Sequence, residues 1–230
     1  MVIKEGGNSK LTKTRIIETN QGIQGELNVT VYDQMMKRLR DKGWMETSQI
    51  IKSGIDKGLA LEVGPGPGYL GLEWLKKTSN TQLMALDVSP DMIQLAEKNA
   101  QEYGLYQRVS YVLVNALSMP FEDEMYDAVF SSGSLHEWEE PQKVFNEINR
   151  VLKPGGLYFI GDLRRDMNLL LRWFLIWSTK PKEIIPGLIT SIQASYTLKE
   201  IIDILQESQL QPTSVKKDPI GLSVIGRKVK

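Results

Sequence analysis

Apolar positions change period several times along the chain, and each change marks an element. Residues 1–27 are polar with scattered glycine, which predicts a flexible or loosely docked segment. From Val29 to Lys57 the apolar spacing is helical, through Met35 and Leu39 and then Ile50, Ile51 and Ile55. "LALEV" (59–63) reads as a buried strand, and Tyr69–Lys77 returns to a helical pattern. "LMALDV" (83–88) predicts a second strand, and Pro90 opens a helix that runs to about Tyr103, with proline in its first turn. "VSYVLV" (109–114), "YDAVFSS" (126–132) and "LYFIGD" (157–162) predict three further strands. Before the last of these, Val144, Ile148, Val151 and Leu152 share one face of a helix over 142–152, and "PGG" stops it. Thr197 and Glu200 form a candidate capping box ahead of "LKEIIDILQES". Two strand-like pieces, about 211–217 and 221–228, follow with "DPIG" turning between them.

Strands that alternate with helices imply a doubly wound α/β fold, its sheet mostly parallel and covered on both faces. The short turn before the last strand makes the last pair antiparallel. The expected sheet has seven strands. At 230 residues the chain suits one sizeable domain. We divide it into an N-terminal segment with a helical cover, 1–56, and a domain over 57–230 that carries a helical lid inserted at about 166–196.

Composition narrows the chemistry. The 28 basic residues balance the 28 acidic ones, so no domain-wide basic field favours nucleic acid. Cysteine is absent, which excludes disulfides, cysteine zinc sites and thiol nucleophiles and fits a cytoplasmic protein. No metal site is expected. "MVIKEGGNSKLTKTR" has no apolar core and does not read as a signal peptide. The longest apolar stretch, "MNLLLRWFLIW" (167–177), is 11 residues long and holds Asn168 and Arg172. Spanning a bilayer takes about 20 apolar residues, so no stable membrane insertion is expected.

The chemistry concentrates after the first strand, in "EVGPGPG" (62–68). A phosphate-binding P-loop would end in Gly-Lys-Ser/Thr, whereas this loop continues Gly68-Tyr69-Leu70. Gly64, Gly66 and Gly68 alternate with Pro65 and Pro67. The glycines allow bare backbone to approach a ligand, and the prolines make the turn rigid. Asp87 ends the second strand about 20 residues on, where a carboxylate can accept both hydroxyls of an adenosine ribose. Loop and aspartate together suit NAD and S-adenosylmethionine equally.

Four blocks in order carry a resemblance. "LEVGPGPGYLG", "ALDVSPDMIQLAEKNA", "VNALSMPFEDEMYDAVFSS" and "SLHEWEEPQKVFNEINRVLKPGG" resemble the class I S-adenosylmethionine-dependent methyltransferases, above all their quinone-biosynthesis branch. The resemblance implies a Rossmann-like fold and methyl transfer to a small-molecule acceptor. It places Gly64, Gly66 and Gly68, with Pro65, along the amino-acid end of S-adenosyl-L-methionine. Glu62 orients the loop and the ammonium group, and Asp87 takes the ribose. Val88, Met92 and Ala116 sandwich the adenine, and Asn115 stands where aspartate commonly faces the adenine amino group; its side-chain oxygen can still accept that hydrogen bond. Ser131 and Ser132 lie beside the reactive methyl, and Tyr32 folds over the cofactor. His136, the only histidine, is the candidate general base.

On the acceptor side Trp138, Arg164, Trp173 and Tyr196 are the candidate substrate contacts, and Arg165 beside Arg164 reads as solvated. Trp173, Phe174 and Trp177 fall on one side of a helix whose other side carries Leu171, Leu175 and Ile176. Such a helix is expected to be buried, by substrate, by a partner, by lipid or by the core. Methylation of a protein or protein-bound cofactor, and cofactor binding without catalysis, are the rival readings. The acceptor atom and the oligomeric state are not legible.

Overall fold

Continuous apolar runs without polar alternation pair as buried parallel strands, and this chain has four such pairings. The computed structural model describes residues 14–17 and 22–229. Its sheet contains β1 (Gly58–Val63), β2 (Thr81–Asp87), β3 (Val109–Leu113), β4 (Tyr126–Ser132), β5 (Leu152–Leu163), β6 (Pro212–Lys217) and β7 (Gly221–Arg227). The strand order is β3-β2-β1-β4-β5-β7-β6. β7 runs antiparallel to both of its neighbours, so it is the one reversed strand and β6 lies at the edge. The order reverses between β1 and β4, which opens a crevice at their C-terminal ends.

Helices cover both faces. On one, α5 (Pro141–Val151) and α8 (Leu198–Gln206) bury Phe145, Ile148, Ile201 and Leu205 against Val129, Tyr158 and Val224. On the other, α2 (Thr47–Lys52), α3 (Tyr69–Lys77) and α4 (Pro90–Glu102) bury Ile50, Trp74 and Ala100 against Ala60, Phe130 and Phe159. The indole N–H of Trp74 donates to the Ile55 carbonyl at 2.7 Å, so even this core ring has its polar atom satisfied.

One expectation changes and two gain detail. The helical pattern over 29–57 is two helices, because α1 (Glu26–Asp41) ends before Gly43, whose φ of 67° is a left-handed turn conformation. "PGG" does not separate helix from strand: Leu152 already pairs with Tyr126, and the turn residues lie in a register shift within β5. The N-terminal segment is docked where it is described. Arg15 Nε donates to the Ala194 carbonyl at 2.5 Å, Arg15 Nη2 to that of His136 at 2.9 Å, and Ser89 Oγ to that of Ile23 at 2.5 Å. Residues 1–13 and 18–21 of that expectation lie outside the described residues.

The insertion after β5 consists of α6 (Leu169–Ser178), a short 3-10 turn (Lys182–Ile184) and α7 (Ile185–Ala194). The predicted capping box of α8 forms. Thr197 N–H donates to Glu200 Oε2 at 2.8 Å, and Glu200 N–H to Thr197 Oγ1 at 3.2 Å.

Candidate active site

The loop after β1 turns sharply because its three glycines adopt backbone that other residues avoid. Gly64 and Gly66 have φ of 70° and 53°. A Cβ at Gly64 would strike the Ser134 side chain, and one at Gly66 would lie 3.3 Å from Tyr32 Cε1. Both glycines line a cleft of about 730 Å³, open mouth included, at the C-terminal ends of β1, β2 and β4. Tyr32, Asp87, Val88, Met92, Asn115, Ala116 and Trp138 line the same cleft. Nine side chains or loop positions chosen from sequence therefore meet in one place.

Asp87 is the polar centre of this cleft. Its Oδ2 accepts from Gly66 N–H at 3.1 Å and its Oδ1 from Ser89 N–H at 2.9 Å. Burial pushes its carboxyl above the ordinary value, and these backbone donors oppose the shift. Asn115 Oδ1 accepts from Leu117 N–H at 2.9 Å, which fixes the turn after β3. Tyr32 is placed by its neighbour on α1: Asp33 accepts from the Tyr69 hydroxyl at 2.7 Å and pairs with Lys37 at 2.8 Å.

Other expected residues stand behind the cleft. Glu62 is fully enclosed, with its carboxyl against Gly71 at the start of α3, so it supports the loop from below. Burial pushes it up to about 8, with the nearby Asp87 adding to the shift and the Gly71 N–H opposing it. Gly68 is the N-cap of α3 with φ of 83°, and a Cβ there would meet Tyr111 Oη and Ala96, so it serves helix packing. Pro65 accepts from Gly68 N–H at 3.0 Å, closing the turn. Ser131 is buried and donates to the Val63 carbonyl at 2.8 Å, a link between β4 and β1. Ser132 hydrogen-bonds the carboxyl of Glu46.

The acceptor side is held by polar pairs that local sequence does not announce. Asp162, near the end of β5, accepts from His136 N–H at 2.7 Å and faces His136 Nδ1 at 3.0 Å from each carboxylate oxygen. His136 Nε2 is 3.9 Å from Glu137 Oε1. His136 itself does not line the cleft, whereas Ser134, Glu137 and Trp138 do. Arg165 is not a solvated partner of Arg164: it is buried, pairs with Glu200 at 2.5 Å and donates to the Ser195 carbonyl. Arg164 lies 3.5 Å from Asp166 and outside the cleft. Tyr196 is buried under Arg15, whose guanidinium sits 4.1 Å from the ring centroid, and its hydroxyl donates to the Trp138 carbonyl at 3.4 Å. Trp173 lies on the outer face of α6, 65% exposed.

Glu46, just before α2, escaped the sequence reading. Its carboxyl lies against Gly161, where any side chain would collide with it, and Oε2 is buried with no hydrogen-bond partner among the described residues. Desolvation, with Asp162 and Asp218 nearby, pushes it up to about 7, while the Ser132 hydrogen bond opposes this. A lone acid beside an amphipathic helix carries no local signal. Asp162 does carry one, because ligands in this topology gather at strand C-termini.

Known proteins share the sequence pattern and the fold. Residues 61–160 match the methyltransferase domain family. The 2-phytyl-1,4-naphtoquinone methyltransferase of Trichormus variabilis is 30% identical over 152 residues, 64% of this chain and 66% of that protein. The ubiquinone/menaquinone biosynthesis C-methyltransferase of a Ruegeria species is 30% identical over 96 residues, 42% of this chain and 38% of that one. A SAM-dependent methyltransferase from Aquifex aeolicus shares the fold, with a TM-score of 0.68 and 21% identity over 87% of this chain and 97% of that one. The chain spans between 20% and 66% of the length of the first curated relatives it matches.

Proposed function

We propose that this chain, a member of the class I S-adenosylmethionine-dependent methyltransferases, transfers a methyl group to a small-molecule acceptor at the mouth of the cleft. The observation that carries the reading is the convergence of Gly64, Gly66 and Asp87 on one cleft. The residues fit the cofactor. Two side-chain-free positions leave room for its amino-acid end, Asp87 offers a carboxylate to its ribose, and Val88, Met92 and Ala116 offer apolar surface to its adenine. When bound, S-adenosylmethionine supplies a sulfonium methyl already activated for in-line displacement. The protein then acts by holding the acceptor near 3–3.5 Å and excluding water.

Tyr32 lies over Gly66 and closes the cleft from α1. The Asp162–His136 pair fixes the turn that presents Ser134, Glu137 and Trp138 to the cleft. We therefore assign His136 a positioning role in place of the general-base role expected from sequence. The balanced charge supports a small molecule over nucleic acid, and the absence of cysteine supports a reducing, cytoplasmic compartment.

Calorimetry with S-adenosylmethionine and with NAD tests the reading. S-adenosylmethionine is expected to bind and NAD is not. Gly66→Val forces a branched side chain into left-handed backbone beside Tyr32 and should abolish binding. Asp87→Ala removes two charge-assisted hydrogen bonds, each worth roughly 1.5–3 kcal/mol. Binding of NAD alone would overturn the assignment. Incubating metabolite extracts with methyl-labelled cofactor, then identifying labelled products by mass spectrometry, identifies the acceptor.

A further inference from the structure

Helix α6 inverts the usual arrangement of a surface helix. Its half-buried side carries Leu171, Arg172, Leu175 and Ile176, and its outer side carries Leu169, Leu170, Trp173, Phe174 and Trp177. None of its ten residues is buried against the described residues. The Trp173 and Trp177 rings stack with centroids 6.2 Å apart and an interplanar angle of 11°, and Phe174 lies 6.1 Å from Trp177. The outward face is thus a continuous aromatic and aliphatic patch, of the kind that marks an interaction site. The cofactor cleft does not use it, since no residue of α6 lines that cleft.

Charge indicates the partner. Every charged residue from 167 to 182 is a cation: Arg172, Lys180 and Lys182. Lys182 Nζ donates to the Trp177 carbonyl at 2.6 Å, which holds a cation at the C-terminal end of the aromatic patch. The nearest acids in sequence, Asp166 and Glu183, flank the stretch. Ten helical residues span about 15 Å, half a bilayer's hydrocarbon core, and no helix of the described residues is long and apolar enough to cross a membrane.

We infer that α6 docks in the interface of an anionic lipid bilayer, with Trp173, Phe174 and Trp177 among the upper acyl chains and Lys180 and Lys182 at the headgroups. The helix follows β5, whose end holds the Asp162–His136 pair, so docking would set the acceptor side of the cleft near the lipid surface. The inference concerns the surface alone and stands whether or not the cleft takes S-adenosylmethionine.

Co-flotation of the full chain with vesicles tests it. Phosphatidylcholine vesicles are compared with mixed phosphatidylcholine–phosphatidylglycerol vesicles, with tryptophan emission followed in parallel. Binding is expected on the mixed vesicles, weakened by salt, with a blue shift in emission. Trp173→Glu with Trp177→Glu should abolish it, and Lys180→Ala and Lys182→Ala should each weaken it about fivefold at low salt. All these positions are exposed, so far-UV circular dichroism and melting should match the parent. Three outcomes overturn the inference: no partition onto mixed vesicles, partition indifferent to the substitutions, or sedimentation showing a dimer that the tryptophan substitutions dissociate. Equal binding to neutral vesicles overturns the anionic preference.

Discussion

At the residue scale, buried acids set the pH response. Glu62 in the folded chain holds its proton up to about pH 8, whereas its ordinary value is 4.5. Between those limits the folded state binds more protons than the unfolded one. Stability should therefore be highest near the acid end of that window and fall as pH rises through it, by up to about 1.4 kcal/mol per pH unit. Glu62→Gln, which imitates the protonated acid, should flatten that slope in urea titrations at several pH values. A slope unchanged in the variant would remove Glu62 as its source. His136 gives a second residue-scale expectation. Because Asp162 fixes its Nδ1, His136→Asn should slow turnover by misplacing Trp138 while leaving the acid limb of the kcat/KM profile in place. A flattened acid limb would restore His136 as the base. Asp162→Ala leaves the buried His136 N–H and ring nitrogen without their acceptor and should cost about 1–3 kcal/mol on chemical denaturation.

At the element scale, α8 shows how one cap serves two purposes. Glu200 closes the capping box with Thr197 and also pairs with buried Arg165, so the helix start is tied to the end of β5. Thr197→Ala should lower stability by about 1 kcal/mol, read as a shifted urea midpoint with an unchanged slope. A change of slope would mean that the cap shapes the denatured ensemble instead. The capping box was legible because it is local: two residues three apart suffice. The break between α1 and α2 was less so, since a helix can tolerate an interior glycine at a cost of about 1 kcal/mol and need not end there.

For the whole molecule, the described N-terminal residues act as a strap across elements distant in sequence. Arg15 reaches the carbonyls of Ala194 and His136 and covers the Tyr196 ring, and Ile16 N–H donates to the Gln193 carbonyl at 3.1 Å. One side chain thus joins the end of α7 to the turn after β4. Arg15→Ala should speed amide exchange at 193–196 and 135–138 while leaving exchange in β1 and β4 at the global rate. Uniform acceleration throughout would show that the strap carries global stability instead.

What sequence alone determined is what short-range physics dictates. Apolar runs of strand length alternating with amphipathic stretches are enough for a doubly wound sheet, and a three-residue turn suffices to make β6 and β7 antiparallel. The cofactor-side residues were legible for a related reason. Gly64, Gly66 and Asp87 act at strand ends whose spatial neighbourhood the topology already dictates. The acceptor side was decided by tertiary structure. Glu46 meets Gly161 across more than a hundred residues, Arg165 finds Glu200, and Asp162 finds His136. No periodicity encodes such pairs, because they depend on which surfaces pack. The same holds for α6: its composition demanded a cover, and only the fold showed that its aromatic face is turned outward, where the described chain leaves it exposed.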